Sequence, residues 1–230
     1  MNSIISKYRS FLFQTKNLKF DSYSKLHKWS INYQLEFWTS IIDFFKIRFS
    51  KQTREFHLDN DKFYNSQWFY DSTLSYSENI FNSYSNEIPA IKYQSEEKEL
   101  VSISWNALKT KTLKFQKILL SNNIKKGDRV VAYCGNTPET IAAFLATNSL
   151  GAIWSSCSPD FGYDAVNERF QIIKPKLIFF HSSYSYNGKT FSLKPKVNRI
   201  IENIESIEHS IDLNVYKNFD EANNSTQLKF

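Results

Sequence analysis

The chain has 230 residues, 41% hydrophobic and 17% aromatic, with 29 lysines and arginines against 23 acidic residues for a net charge of +6. That is enough apolar material for one large domain or one and a half, which excludes a wholly disordered chain. Glycine is the sharper count: there are five, where average usage of about 7% gives about sixteen, and no GxGxxG or GxxxxGK[ST] cluster that would let backbone amides cradle phosphates.

Residues 1–21 read as an N-terminal extension. Lys7, Arg9, Lys16 and Lys19 lie among Ile4, Ile5, Phe11, Leu12 and Phe13, with no acidic residue before Asp21. This is the composition of a transit peptide, or of a loosely ordered extension. Residues 22–84 form a helical cap. Leu35, Trp38, Ile41, Ile42 and Phe45 fall on one helix face, and Trp68, Phe69, Leu74, Tyr76 and Ile80 read as a loop followed by a short helix. From residue 85 the period changes. Strands are expected over 89–93 and 100–105, joined by the charged turn Ser95-Glu96-Glu97-Lys98. Ser104 is placed to cap a helix bearing Leu108, Thr112, Phe115 and Leu119. A strand over 129–134 then turns at Gly135-Asn136-Thr137 into a buried helix over 138–150, with Pro138 in its first turn. A strand over 152–156, a helix over 163–174, a strand over 176–181, a helix over 197–206 and a strand over 213–216 follow. The chain then runs out in Asn223-Asn224-Ser225-Thr226 without a closing element. The alternation predicts an α/β fold: a helical N-terminal cap (22–84) on the first part of a parallel α/β nucleotide-handling domain (85–230), incomplete at its C-terminus.

The charge is evenly spread, and lysines alternate with glutamates as in Glu96, Glu97, Lys98 and Glu99, so no nucleic-acid stripe is expected. His27, His57, His181 and His209 show no metal-ligand spacing. Cys134 and Cys157 sit in apolar segments and read as two buried free thiols in a reducing compartment. A cytoplasmic location follows, with mitochondrial import the alternative left by the basic first twenty residues. The longest apolar run, residues 141–154, is short of the roughly 18 residues a membrane span needs. Two loops stand out, Ser155-Ser156-Cys157-Ser158-Pro159-Asp160-Phe161-Gly162 and Tyr184-Ser185-Tyr186-Asn187-Gly188-Lys189. Both follow the carboxyl ends of expected parallel strands, where open α/β sheets bind ligands.

The stretch Gly127-Asp128-Arg129-Val130-Val131-Ala132-Tyr133, then Asn136, Pro138 and Glu139, then Ala143-Phe144-Leu145-Ala146, resembles the opening of the large domain in acyl-CoA synthetases of the adenylate-forming superfamily. The run Trp154-Ser155-Ser156-Cys157-Ser158-Pro159-Asp160-Phe161-Gly162 and the loop Tyr186-Asn187-Gly188-Lys189 are similar to one branch, the acetoacetyl-CoA synthetases (acetoacetate–CoA ligases). Upstream, His27-Lys28-Trp29-Ser30, Glu36-Phe37-Trp38 and Leu74-Ser75-Tyr76-Ser77-Glu78-Asn79 resemble the helical cap of acetyl- and acetoacetyl-CoA synthetases. The likeness covers residues 22–205.

The resemblance implies an acid–thiol ligase. Acetoacetate attacks ATP to give an acyl-adenylate and pyrophosphate, CoA then displaces AMP, and Mg²⁺ assists the first step. The family's phosphate loop, roughly TSGTTGxPK, and its C-terminal adenylation lysine have no counterpart in this sequence, so no catalytic residue is assigned and the chain alone is expected to be inactive. By the same resemblance Tyr186, Asn187, Gly188 and Lys189 would contact CoA near its phosphorylated nucleotide end. Lys189 replaces an arginine there, keeping a point charge but losing bidentate geometry. An ordinary Asn-Gly turn with an exposed lysine is the competing reading. Asp160 and Phe161 would border the cleft, Trp154 and Cys157 would lie in the core, and Asn136 and Glu139 would cap the helix behind the site. Alternatives to an acetoacetate ligase are part of an acetyl- or propionyl-CoA synthetase, a split enzyme completed by a second chain, and a non-catalytic scaffold or partner-binding remnant.

Overall fold

A computed structural model describes residues 3–53, 55–56, 62–82 and 87–216. The expected boundary at 84/85, His57 and the tail 223–226 lie outside the described residues. The chain divides into two compact units, Met1–Leu74 and Ser75–Phe230.

In the first unit, α1 (Ile4–Lys16) starts on Ser3, whose hydroxyl accepts from the Ser6 N–H, and ends where Asn17 turns left-handed. Helices α2 (Tyr23–Asn32) and α3 (Gln34–Phe45) follow. Residues 4–16 are therefore not a loose extension. Tyr8 and Leu12 are buried with Leu26 in a cluster that also takes Phe11, Trp29, Phe37, Ile41 and Phe44. The Tyr8 and Phe44 rings meet at 5.1 Å, edge to face, and the Tyr8 hydroxyl bonds the Ser40 hydroxyl at 2.5 Å. The buried face of α3 is also rotated from the expected one. Trp38 and Phe45 are 43% and 49% exposed, while Phe37, Ser40 and Phe44 join the expected Ile41 and Ile42 on the inner side. Ser40 tolerates the interior because its hydroxyl has partners in Tyr8 and in the Phe37 carbonyl.

The second unit opens with α4 (Tyr76–Asn82), tied to the helix over residues 138–149 by the Ser77 hydroxyl, which donates to the Leu145 carbonyl at 2.6 Å. A small antiparallel pair, β1 (Ile91–Tyr93) and β2 (Val101–Ile103), follows. Helix α5 (Trp105–Ser121) begins on Ser104, whose hydroxyl accepts from the Ala107 N–H, as the sequence predicts. The main body is then built from β3 (Arg129–Tyr133), α6 (Pro138–Ser149), β4 (Ile153–Cys157), α7 (Tyr163–Ile173) and β5 (Leu177–Phe180). A hairpin of β6 (Ser183–Tyr186) and β7 (Lys189–Ser192), helix α8 (Lys194–Asn203) and strand β8 (His209–Asp212) complete it.

Strands β4, β3, β5 and β8 lie side by side in that order, all parallel. Their alternation feeds two cores. Val130, Ala132, Cys134, Leu177 and Phe179 face α5 and α6, while Val131, Tyr133, Cys157 and Ile178 face α7 and α8. The two inner strands, β3 and β5, are buried on both faces and read as apolar runs in the sequence, which makes them legible there. The two cysteines are buried and free and sit on opposite faces of the sheet. Burial pushes the Cys134 thiol up to about 11, so it stays protonated near neutrality. Arg129, in the Gly127-Asp128-Arg129 motif, donates to the carbonyls of Ile173 and Lys174, capping the C-terminal end of α7.

Two expected elements move. The last strand is His209–Asp212 rather than 213–216, because His209 to Asp212 are in register with Leu177 to Phe180 on β5. Residues Leu213–Tyr216 form a 3₁₀ turn that buries Leu213, and Lys111 Nζ holds the turn through the Tyr216 carbonyl at 2.6 Å. Helix α8 begins at Lys194 rather than 197, with Pro195 in its first turn, where the missing N–H costs nothing.

Candidate functional site

From β3 the chain crosses through α6 to β4 on one side, then through α7 to β5 on the other. The strand order reverses between β3 and β5, and an open parallel sheet presents a crevice at such a point, beyond the carboxyl ends of its strands. A cavity of about 640 Å³ lies there. Its walls are Gly135 to Glu139 after β3, Ser158 and Pro159 after β4, His181 and Ser183 to Ser185 after β5, and Asn214 after β8, with the β1–β2 turn on the remaining side.

The loops are braced by specific bonds. His181, 4% exposed, bridges the reversal point: its Nδ1 accepts the Gly135 N–H at 2.9 Å. That nitrogen therefore carries no proton, and in the neutral ring the proton sits on Nε2. The Tyr133 hydroxyl donates to the Phe161 carbonyl at 2.6 Å and reaches the Pro159 carbonyl at 3.2 Å, fixing the loop after β4. Burial pushes this phenol up to about 12, so it remains a donor throughout the neutral range. Asp212 Oδ1 accepts from the backbone N–H groups of Ser182 and Asn214 and ties the ends of β5 and β8 together. Thr137 caps α6, its hydroxyl accepting from the Thr140 N–H at 3.3 Å. Asn136, expected to cap, is exposed beside it. Glu139, 5% exposed, sits in the first turn of α6, where the helix dipole favours a carboxylate.

The other expected site residues lie at or beyond the rim. Asp160 is exposed and outside the cavity wall, which ends at Pro159. Phe161 lies outside it as well, with the Arg169 guanidinium 5.1 Å from its ring centroid, a cation–π contact. The stretch read as a loop, Tyr186 to Lys189, is the tip of the β6–β7 hairpin. Tyr186 pairs with Lys189 across a two-residue turn in which Asn187 and Gly188 both have positive φ, 51° and 69°. That is the I′ geometry an Asn-Gly pair supports best. Tyr186 and Lys189 are exposed. The turn's two amides face Glu96: Oε1 accepts from the Asn187 N–H at 2.9 Å and Oε2 from the Gly188 N–H at 3.0 Å. These bonds hold the Glu96 carboxyl below its usual range, the Gly188 bond contributing most.

Sequence reasoning missed His181 and Glu96 as site residues. His181 is the first residue past the apolar run of β5, at the strand end where ligand-facing groups collect, so a local signal existed. Glu96 has none, since its partners are about 90 positions away. Among the described residues no group of three or more His, Cys, Asp or Glu side chains could hold a metal ion, and no described helix is long and apolar enough to cross a membrane.

A doubly wound parallel sheet with a polar crevice at its order reversal is the architecture of a nucleotide- or cofactor-handling α/β protein. The family described as AMP-binding enzyme matches residues 81–229, and the chain belongs to it. Acetoacetyl-CoA synthetase of Macaca fascicularis is 33% identical over 90% of this chain and 31% of its own length. Acetoacetyl-coenzyme A synthetase of Rhizobium meliloti (strain 1021) is 35% identical over 80% of this chain and 28% of its own length. Among solved structures, acetoacetyl-CoA synthetase from Streptomyces lividans superposes with a TM-score of 0.83 at 26% identity, covering 95% of this chain and 36% of that one. The chain thus spans about a third of the proteins it matches.

Proposed function

We propose that residues 1–230 are the front portion of an acyl-CoA ligase acting on acetoacetate, and that this portion contributes a contact for the phosphorylated nucleotide end of CoA. The assignment of the acyl group rests on the acetoacetyl-CoA synthetases among the relatives. The observation that carries the CoA contact is the β6–β7 tip: two adjacent backbone N–H groups converge on one acid, and the next side chain is the exposed ammonium of Lys189. Converging amides beside a cation fit a phosphate monoester.

ATP and Mg²⁺ fit this portion less well. The cleft offers hydroxyls, one imidazole, the amides of Gln94, Asn136 and Asn214, and the single Lys98 ammonium against the carboxylates of Glu96, Glu97 and Glu139, a set poor in positive charge for a triphosphate. Adenylation is therefore assigned to residues outside 1–230.

A calorimetric titration of the 230-residue chain with CoA tests the contact. Lys189→Ala is expected to weaken binding by about two- to fivefold, the value of one exposed charge pair, and raising salt from 0.05 to about 0.5 M is expected to weaken the wild type more than the variant. Binding that ignores both the substitution and the salt would remove the hairpin from the CoA site.

A further inference from the structure

Two hairpin tips meet at the rim of the cleft. The β1–β2 turn closes on itself between Ser95 and Lys98, and the Ser95 hydroxyl accepts the N–H groups of Glu97 and Lys98. That fixed turn projects Glu96 onto the Asn187 and Gly188 amides, one carboxylate oxygen to each. Beside it the Ser185 hydroxyl donates to Glu97 Oε1. The amide pair converges because both turn residues have positive φ, which points successive N–H groups to one side in an anion-binding concavity. A carboxylate and a phosphate present such a pair with the same two acceptor oxygens.

We propose that Glu96 is a carboxylate latch: it joins the two tips by occupying the Asn187–Gly188 amide pair, and a phosphate group reaches that pair only by displacing it. The contact is suited to exchange. Glu96 lies wholly in solvent, where such a bond is screened and weak. A phosphate monoester carries a charge of about −1.5 to −2 near neutral pH and gains Lys189 as well. The first β-hairpin would then keep only the Ser185–Glu97 bond to the second tip as the anion arrives, loosening one wall of the 640 Å³ cavity. Naming CoA as the phosphate source rests on the function proposed above; the latch itself does not.

The test uses the ¹⁵N-labelled 230-residue chain and its Glu96→Ala and Glu96→Gln variants, with inorganic phosphate and CoA as separate probes. Asn187 and Gly188 amide exchange is expected to be several-fold faster in Glu96→Ala, with Glu96→Gln intermediate. Both probes are expected to shift these two resonances at lower concentration in Glu96→Ala, CoA binding about two- to fivefold more tightly. Unchanged exchange in Glu96→Ala would overturn the latch. Faster exchange, with both probes acting equally on variant and wild type, would overturn displacement and leave Glu96 a staple. A response to phosphate but none to CoA would support the latch and defeat the CoA assignment instead.

Discussion

Phe179→Ala is expected to lower folding stability by about 3–5 kcal/mol, the range for removing a buried aromatic ring from a packed core. Phe179 is 0% exposed on β5, an inner strand, opposite Ala132 on β3 and Ile211 on β8. Its ring meets Phe115 of α5 edge-on at 5.7 Å and Trp154 of β4 at 6.0 Å, so one side chain links three elements of the same layer. The neighbours cannot collapse into the space left: Phe115 is anchored on its other side by Tyr216 at 5.3 Å and Trp154 by Phe144 at 5.9 Å. A natural domain holds only about 5–15 kcal/mol in total, so the loss takes a large share. The shift in the urea midpoint, with Phe179→Leu as the milder control, measures it. A loss below about 1 kcal/mol would mean that the layer is not packed as described.

His181→Ala should cost less in stability but more at the cleft. Its Nδ1 is the acceptor for the Gly135 N–H, and that bond joins the loops after β3 and β5 at the point where the strand order reverses. Losing the acceptor of this partly buried donor costs about 1–3 kcal/mol. Asn places a carbonyl oxygen near the position of Nδ1, so His181→Asn should recover most of the loss while His181→Ala does not. Urea unfolding and exchange at the Gly135 amide report it together. If Gly135 exchanges at the same rate in wild type and His181→Ala, the imidazole does not hold that loop.

The parts legible in the sequence are those whose signals are local. Strands β3 and β5 announce themselves through burial on both faces, and the starts of α5 and α6 through Ser104 and Pro138. Where a partner lies far along the chain, local pattern failed. Ser40 belongs inside because Tyr8 meets it, which turned the buried face of α3 away from Trp38 and Phe45. Helix α1 looked like a basic tail because its charges were visible and its packing on Leu26 and Phe44 was not. Strand β8 was shifted because Leu213 is as apolar as a strand residue, and only register with β5 shows that His209 to Asp212 pair instead. At the site, the Asn187-Gly188 turn was readable from its dipeptide. The carboxylate that meets it was not, since nothing in Glu96-Glu97-Lys98 distinguishes it from solvated charge.

The proposal that this portion contacts CoA without performing adenylation is tested most directly by pyrophosphate release. The purified 230-residue chain, incubated with ATP, Mg²⁺ and acetoacetate, is expected to release no pyrophosphate above the protein-free blank. Acetoacetate-dependent release by the chain alone would contradict it, because the adenylating groups would then have to lie among the residues described above.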